Sequence, residues 1–414
     1  MNYLSILICI IVIIIESKQH NKFSPAFLMA IFWMYLLIGD WIHLYNLYPI
    51  TNMKTYLIIF VGLLTFFIGC YLNNIIYVHN NNLSTWEIDN RKTSVLILLS
   101  IIFCLPNMIQ AIKYLQSGLD MNDIKMLFYT SSFNSTYIQS FFLNYVSKPM
   151  ISAGILVWSI SLFEKENNSF FMTFLVLISI FSFYLATGVR DLFISVCIYL
   201  FFLMLLRVDI NKIRAYTIKK NKKIFIYFVI IGLICIVSIV FAGNNIFTTL
   251  YYYTSASITA LDVMMNYISN YHMQYTYGFV SFNGLIRPIF ELLQRFNISM
   301  PYIYILADTY INMQQNTITI SQGQSFNAFF TVFLNMYLDG GYCGVVLISF
   351  ISGWGASHIY KKCFLNMNHK YLSYYLFVVG LIFTSMVRYQ FASYTYALTL
   401  FYLQFMFKKI SRKN

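Results

Sequence analysis

Charge is scarce in this chain. Only 10% of its 414 residues are Asp, Glu, Lys or Arg, against about 25% in soluble domains, and that shortage excludes an ordinary water-soluble globule. Proline is rare as well, with six residues, so little interrupts the apolar runs. The seven cysteines (Cys9, Cys70, Cys104, Cys197, Cys235, Cys343 and Cys363) lie mostly inside those runs and lack paired spacing. Neither a disulfide framework nor a metal site follows from them. No P-loop, G-x-S-x-G or G-x-G-x-x-G occurs, so nucleotide use and serine hydrolysis have no support. On the side read below as outer there is no Asp-x-Asp pair and no His/Cys cluster. The expectation is therefore no metal and no cofactor.

What is abundant is apolar and aromatic. Hydrophobic residues make up 59% of the chain, with 40 Phe and 35 Tyr. The apolar runs have spanning length and not the ten-residue alternation of barrel strands. The reading is an all-α polytopic membrane protein, a single integral domain over 1–414. Spans are expected at about 1–15, 25–45, 55–72, 94–115, 145–163, 169–187, 191–207, 224–242, 341–360, 371–387 and 391–408, eleven in all. The opening MNYLSILICIIVIII has no basic flank and no small-residue cleavage site, and reads as a short retained span. The run Phe326–Leu338 is too short to cross and reads as an interfacial or re-entrant helix packed on the outer face.

Basic residues set the orientation, because cytoplasmic loops hold the excess. With Arg207–Lys223 placed inside, the inner side receives 19 basic and 6 acidic residues and the outer side 8 of each, so the whole net charge of +13 falls on one side. In a soluble protein that charge would suggest nucleic acid. Here it is a topology signal and an attraction to anionic membrane lipid, and no nucleic-acid partner is expected.

The same scheme puts one large loop, 243–340, on the outer face. It is rich in tyrosine and has no lysine. Its aromatic content argues against disorder, and loops of this length in compact proteins are usually functional. Tyr271, Tyr275 and Tyr277 are candidate sugar platforms, since an aromatic face packs on a pyranose while the hydroxyl bonds to sugar hydroxyls. Four outer arginines could hold a phosphate through a planar fork. Arg190 sits in the turn ATGVRDLF, Arg287 precedes Pro288 at an expected helix N-terminus, Arg295 lies four residues after Glu291, and Arg388 falls in SMVRYQFASY between the last two spans. Candidate general bases are His272, Glu291 and Asp339, with Asp308, Asp40 and His43 as further outer acids or bases. Asp339 has helix capping as its competing role, and Glu291 an intrahelical pair with Arg295.

Three features together resemble the Wzy-type O-antigen polymerases, also called oligosaccharide repeat unit polymerases. They are the ATGVRD turn before a span, the large late outer loop, and SFNAFFTVFLNMYLDGGYCGVVLISFISGWG leading into the next span. The resemblance implies a GT-C-like helical glycosyltransferase of about 11–12 transmembrane helices in the bacterial inner membrane, with 243–340 as a periplasmic loop. It implies polymerisation of undecaprenyl-diphosphate-linked oligosaccharide, with Arg190, Arg287 and Arg295 matching the loop arginines held to bind diphosphate. A chain-length regulator of the polysaccharide co-polymerase class is implied as a partner. Two alternatives remain open from the residues: an O-antigen ligase that hands the glycan to lipid A core, and a flippase for the lipid-linked unit.

Overall fold

The computed structural model describes residues 2–19, 21–76, 85–129, 136–162, 170–213, 246–322, 324–327, 330–366 and 369–410. In chain order the helices are α1 (Asn2–Lys18), α2 (Pro25–Ile42), α3 (Met53–Ile76), α4 (Asn90–Gln116), α5 (Met121–Tyr129), α6 (Tyr137–Phe141), α7 (Lys148–Ser161), α8 (Phe170–Thr187), α9 (Asp191–Ile213), α10 (Ile246–Tyr271), α11 (Asn283–Arg295), α12 (Tyr302–Met313), α13 (Val332–Asn366), α14 (His369–Thr384) and α15 (Tyr394–Phe405). About 81% of the described residues are helical. Among the described residues four short strands make two antiparallel clips: β1 (Thr85–Ile88) pairs with β4 (Phe407–Ile410), and β2 (Thr317–Ser321) with β3 (Gln324–Asn327).

Among the described residues five helices are long and apolar enough to cross a membrane: α2, α3, α4, α8 and the Val332–Phe364 part of α13. Asp191–Leu206 within α9 is a shorter apolar helix. Each expected span falls on a helix except 224–242, which lies outside the described residues together with the side chains of Arg207–Lys223. Helices at 2–18, 148–161, 369–384 and 394–405 are shorter than the 18 residues that the clear spans reach. The region 243–340 is mostly wound and not a loop, since α10, α11, α12 and the β2–β3 clip fill its described part.

The chain divides into two compact units. The first holds residues 1–81, 239–365 and 378–393. Its core is built where α2 meets the start of α13: the Trp33 indole packs on Phe333 at 4.8 Å between ring centres and donates to Ser385 Oγ at 3.0 Å. Burying a large ring with its N–H satisfied is what an apolar interior tolerates best. Helices α3 and α13 then run side by side in the same direction, because Asn73 donates to Ser357, Lys361 donates to the Asn73 and Asn74 carbonyls, and Cys70 Sγ contacts the Gly353 carbonyl. Their close approach needs glycine on both sides. A Cβ on Gly69 would strike the Phe350 carbonyl, and one on Gly353 the Phe66 carbonyl. Small residues at helix crossings of this kind let backbones touch and gain dispersion contacts that lipid cannot supply.

Helix α10 is tied to the α2–α3 connection by polar side chains. Asp262 accepts from Thr51 N (2.9 Å), Thr51 Oγ1 (2.8 Å), Asn52 N (3.0 Å) and Thr55 Oγ1 (2.7 Å), so it caps the first turn of a helix some two hundred residues earlier. Tyr251 donates to the Gly39 carbonyl and accepts from Leu44 N, while Tyr252 donates to the Tyr45 carbonyl. These bonds hold a connection in which His43, Tyr45 and Asn46 all take the left-handed conformation.

The second unit holds residues 82–238, 366–377 and 394–414. A π-helical turn at Phe142–Ser147 lets Ser147 Oγ donate to the Ser100 carbonyl at 2.8 Å before α7 begins at Lys148–Pro149. Lys148 ion-pairs with Asp191 at 2.6 Å and lies over the Phe183 ring. Gly188 (φ 67°) makes the turn that precedes Arg190, against the Met121 carbonyl.

Candidate functional site

The first unit contains a cleft of about 610 Å³. That volume lies inside the range of roughly 300–1,000 Å³ seen for small-molecule sites. Its walls are Lys54 from the start of α3, Ile268, Ser269, His272, Met273, Gln274, Tyr275 and Tyr277 from the end of α10 and the following turn, Tyr302, Ile303 and Leu306 from α12, and Tyr337 from the first segment of α13. Four tyrosines (Tyr275, Tyr277, Tyr302 and Tyr337), one histidine (His272) and one lysine line it, with no carboxylate among the lining residues.

Lys54 escaped the reading of the sequence. It is exposed, and among the described residues its ammonium group makes no ion pair. Because α3 and α13 run in parallel, Lys54 and the Tyr337–Gly341 segment stand at the same ends of their spans. The cleft therefore lies at the same ends of two helices long and apolar enough to span a membrane.

The turn that carries the tyrosines is built in steps. Helix α10 stops at Tyr271 with His272 left-handed (φ 46°), and Met273 N reaches back to the Ile268 carbonyl, the bond of a Schellman cap. Then Thr276–Phe279 closes a tight turn, Phe279 N bonding to the Thr276 carbonyl, with Tyr277 (φ 52°) and Gly278 (φ 98°) both at positive φ. A tyrosine there costs about 1–2 kcal/mol. Asp339 offsets it. Its Oδ1 accepts from Thr276 Oγ1 (2.6 Å) and Val280 N (3.0 Å), its Oδ2 from Ser281 N (2.8 Å), and its backbone carbonyl from Tyr277 N (2.8 Å). Asp339 is buried, so these bonds are not diluted by water.

Immediately after Asp339 the helix breaks. Gly340 (φ −168°, ψ 28°) and Gly341 (φ 58°, ψ −141°) separate Val332–Asp339 from the span that follows. The φ of Gly341 favours glycine, and a side chain there would also meet the Tyr275 hydroxyl at 2.7 Å and push that ring aside. The short segment 332–339 is buried in the unit, with Phe333 and Leu334 inaccessible. Its reason is the Trp33–Phe333 contact, which draws it inward.

The candidate residues fall into separate places. His272, Tyr275 and Tyr277 line the cleft together. Tyr271 does not line it and stacks on Tyr267 at 4.3 Å between ring centres. Asp339 sits behind the turn with its carboxylate occupied by three donors, none of them an N–H of its own helix. Arg287 is not at a helix N-terminus. Helix α11 begins at Asn283, because the Phe282 carbonyl already accepts from Leu285 N and Ile286 N, and Pro288 lies inside the helix. The Arg287 guanidinium bonds Glu291 (Nε to Oε1, 2.8 Å) and approaches Asp308 of α12 at 3.7 Å. Glu291 thus pairs with Arg287, four residues before it, and Arg295 ends the helix. Beside that cluster Tyr304 stacks on Phe290 at 4.5 Å, and burial raises its phenol above the usual range while the Arg287 charge works against the rise. Arg388 follows α14 in this unit, its N–H bonded to the Thr384 carbonyl. Arg190 belongs to the second unit, where its carbonyl accepts from Phe193 N at the start of α9. Among the described residues no group of three or more His, Cys, Asp or Glu stands close enough to hold a metal ion.

No family model, no curated protein and no solved structure matches this chain.

Proposed function

We propose that this protein is a membrane glycosyltransferase that polymerises surface polysaccharide, moving a growing undecaprenyl-diphosphate-linked glycan onto the next lipid-linked repeat unit at the periplasmic face of a bacterial inner membrane. The observation that carries this reading is the tyrosine cleft at the ends of the α3 and α13 spans, with Lys54 and His272 in its wall. Stacking faces and phenolic hydroxyls suit sugar rings. A lone cation in a wall without carboxylates suits the phosphate that carries them. The level of the cleft, at the span ends, suits a substrate whose lipid stays in the bilayer.

The chemistry asked of such a site is modest. An acceptor sugar hydroxyl attacks the anomeric carbon of the donor, a new C–O bond forms, and the bond to the lipid diphosphate breaks with its electron pair leaving on phosphate. In this reading His272 accepts the hydroxyl proton. Lys54 stabilises the charge that develops on the departing diphosphate, the largest electrostatic demand of the step. Asp339 and Glu291 are already committed to hydrogen bonds, and serve better as supports than as bases.

The test is electrophoresis of the surface polysaccharide from cells lacking the gene, complemented with wild type, Lys54→Gln or His272→Ala. The reading expects single repeat units on the lipid core in the null strain and a ladder restored by wild type only. Bare core with accumulating long lipid-linked chains would instead indicate a ligase. Loss of single units and chains together would indicate a flippase.

A further inference from the structure

Helix α11 has an apolar stripe that the described residues leave largely exposed. Leu285 (44% exposed), Ile289 (59%), Leu292 (50%) and Phe296 (70%), the last just past the helix end, recur at spacings of four, three and four and so fall within a narrow sector of the wheel. No charge interrupts that sector. The opposite side carries Arg287, Glu291 and Gln294, and through Arg287–Asp308 and Phe290–Tyr304 it is fastened to α12. At 13 residues α11 reaches about 20 Å, too short to cross about 30 Å of hydrocarbon. Its first turn is pinned: a Cβ on Gly284 would meet the carbonyls of Phe391 and Ser393, the turn that follows α14.

A short helix with an apolar face, a charged opposite face and a pinned first turn, in a chain that also carries helices of spanning type, has a physical place to be. We propose that α11 lies in the plane of the bilayer surface, with Leu285, Ile289, Leu292 and Phe296 immersed among the acyl chains of membrane lipid. Arg295 stands at the edge of the stripe, where its long stem lies along apolar surface while its head meets anionic lipid phosphate. Because α12 supplies Tyr302, Ile303 and Leu306 to the cleft, this contact holds one cleft wall at headgroup level. The inference rests on the exposed stripe and is independent of what the cleft binds.

The test uses the full chain in phospholipid vesicles, with an environment-sensitive fluorescent amino acid placed at Ile289, at Phe296 or, as control, at Gln294. Lipids carrying a nitroxide high on the acyl chain should quench the first two at least threefold more than the third. Aqueous iodide should do the reverse. Iodide quenching at Ile289 and Phe296 would overturn the proposal in favour of a water-facing stripe. Protection from both quenchers would overturn it in favour of a covering protein, either a second copy or another chain.

Discussion

Replacing Asp339 separates an anchor from a base. In Asp339→Ala the Thr276 hydroxyl and the Val280 and Ser281 N–H groups lose their acceptor inside a buried pocket. The Thr276 hydroxyl keeps the Leu338 carbonyl as an acceptor, the two unsatisfied N–H groups together cost about 2–6 kcal/mol, and relief of the left-handed Tyr277 returns about 1–2 kcal/mol, so the net loss is up to about 5 kcal/mol. Asp339→Asn is milder. Its remaining oxygen can keep the Thr276 and Val280 donors on Oδ1, and its amide meets only the Ser281 N–H as donor to donor, a loss of about 1–3 kcal/mol. Thermal unfolding in nanodiscs should order the proteins wild type, Asn, Ala, with the Ala variant lowered on the order of 10 °C. Ligand contact in the cleft should weaken in the same order, because Tyr275 and Tyr277 ride on the released turn. Two variants that melt with wild type and yet abolish sugar transfer would refute the anchor and return the carboxylate to a chemical role.

Lys54→Gln should leave thermal stability within about 0.5 kcal/mol, as expected of an exposed side chain, while weakening binding of a lipid-linked phosphate at least tenfold in a filter assay. Asp262→Ala removes the acceptor for four donors on Thr51, Asn52 and Thr55 and should destabilise the fold by about 3–5 kcal/mol, read as a lower melting temperature. Gly353→Leu forces α3 away from α13 at the Phe66 carbonyl; the expected outcome is a sharp drop in folded yield in detergent, with Gly355→Leu, which faces open space, as the tolerant control. Arg287→Ala and Asp308→Ala should lower stability by similar small amounts, on the order of 1 kcal/mol, and a double-mutant cycle should show coupling between them.

The helices were legible wherever a long apolar run met the length of a bilayer, which is why the expected spans and the observed helices coincide over the described residues. Helix α10 was not. Its sequence mixes Tyr, Ser, Thr and Asp262 into the apolar positions, and this dilution hides a 26-residue helix from hydropathy. Its polar residues are spent on contacts about two hundred positions away, and no local pattern announces them. Lys54 was overlooked for the same reason, since a lone lysine ahead of a span reads as a boundary residue until the fold brings His272 and Tyr277 beside it. Pro288 misled in a specific way. Proline favours first helical positions, but here the Phe282 carbonyl starts the winding five residues before Arg287 is followed by it. The Gly340–Gly341 pair, in contrast, was a usable signal for a chain break beside Asp339.

Reconstitution decides the account most directly. Purified protein in vesicles, supplied with a polyprenyl-diphosphate-linked oligosaccharide and followed by mass spectrometry, should lengthen the glycan by whole repeat units, and Lys54→Gln and Tyr275→Ala should stop that growth while remaining folded. Movement of the intact lipid-linked unit across the bilayer with no change in its mass, or growth undiminished in both variants, would contradict it.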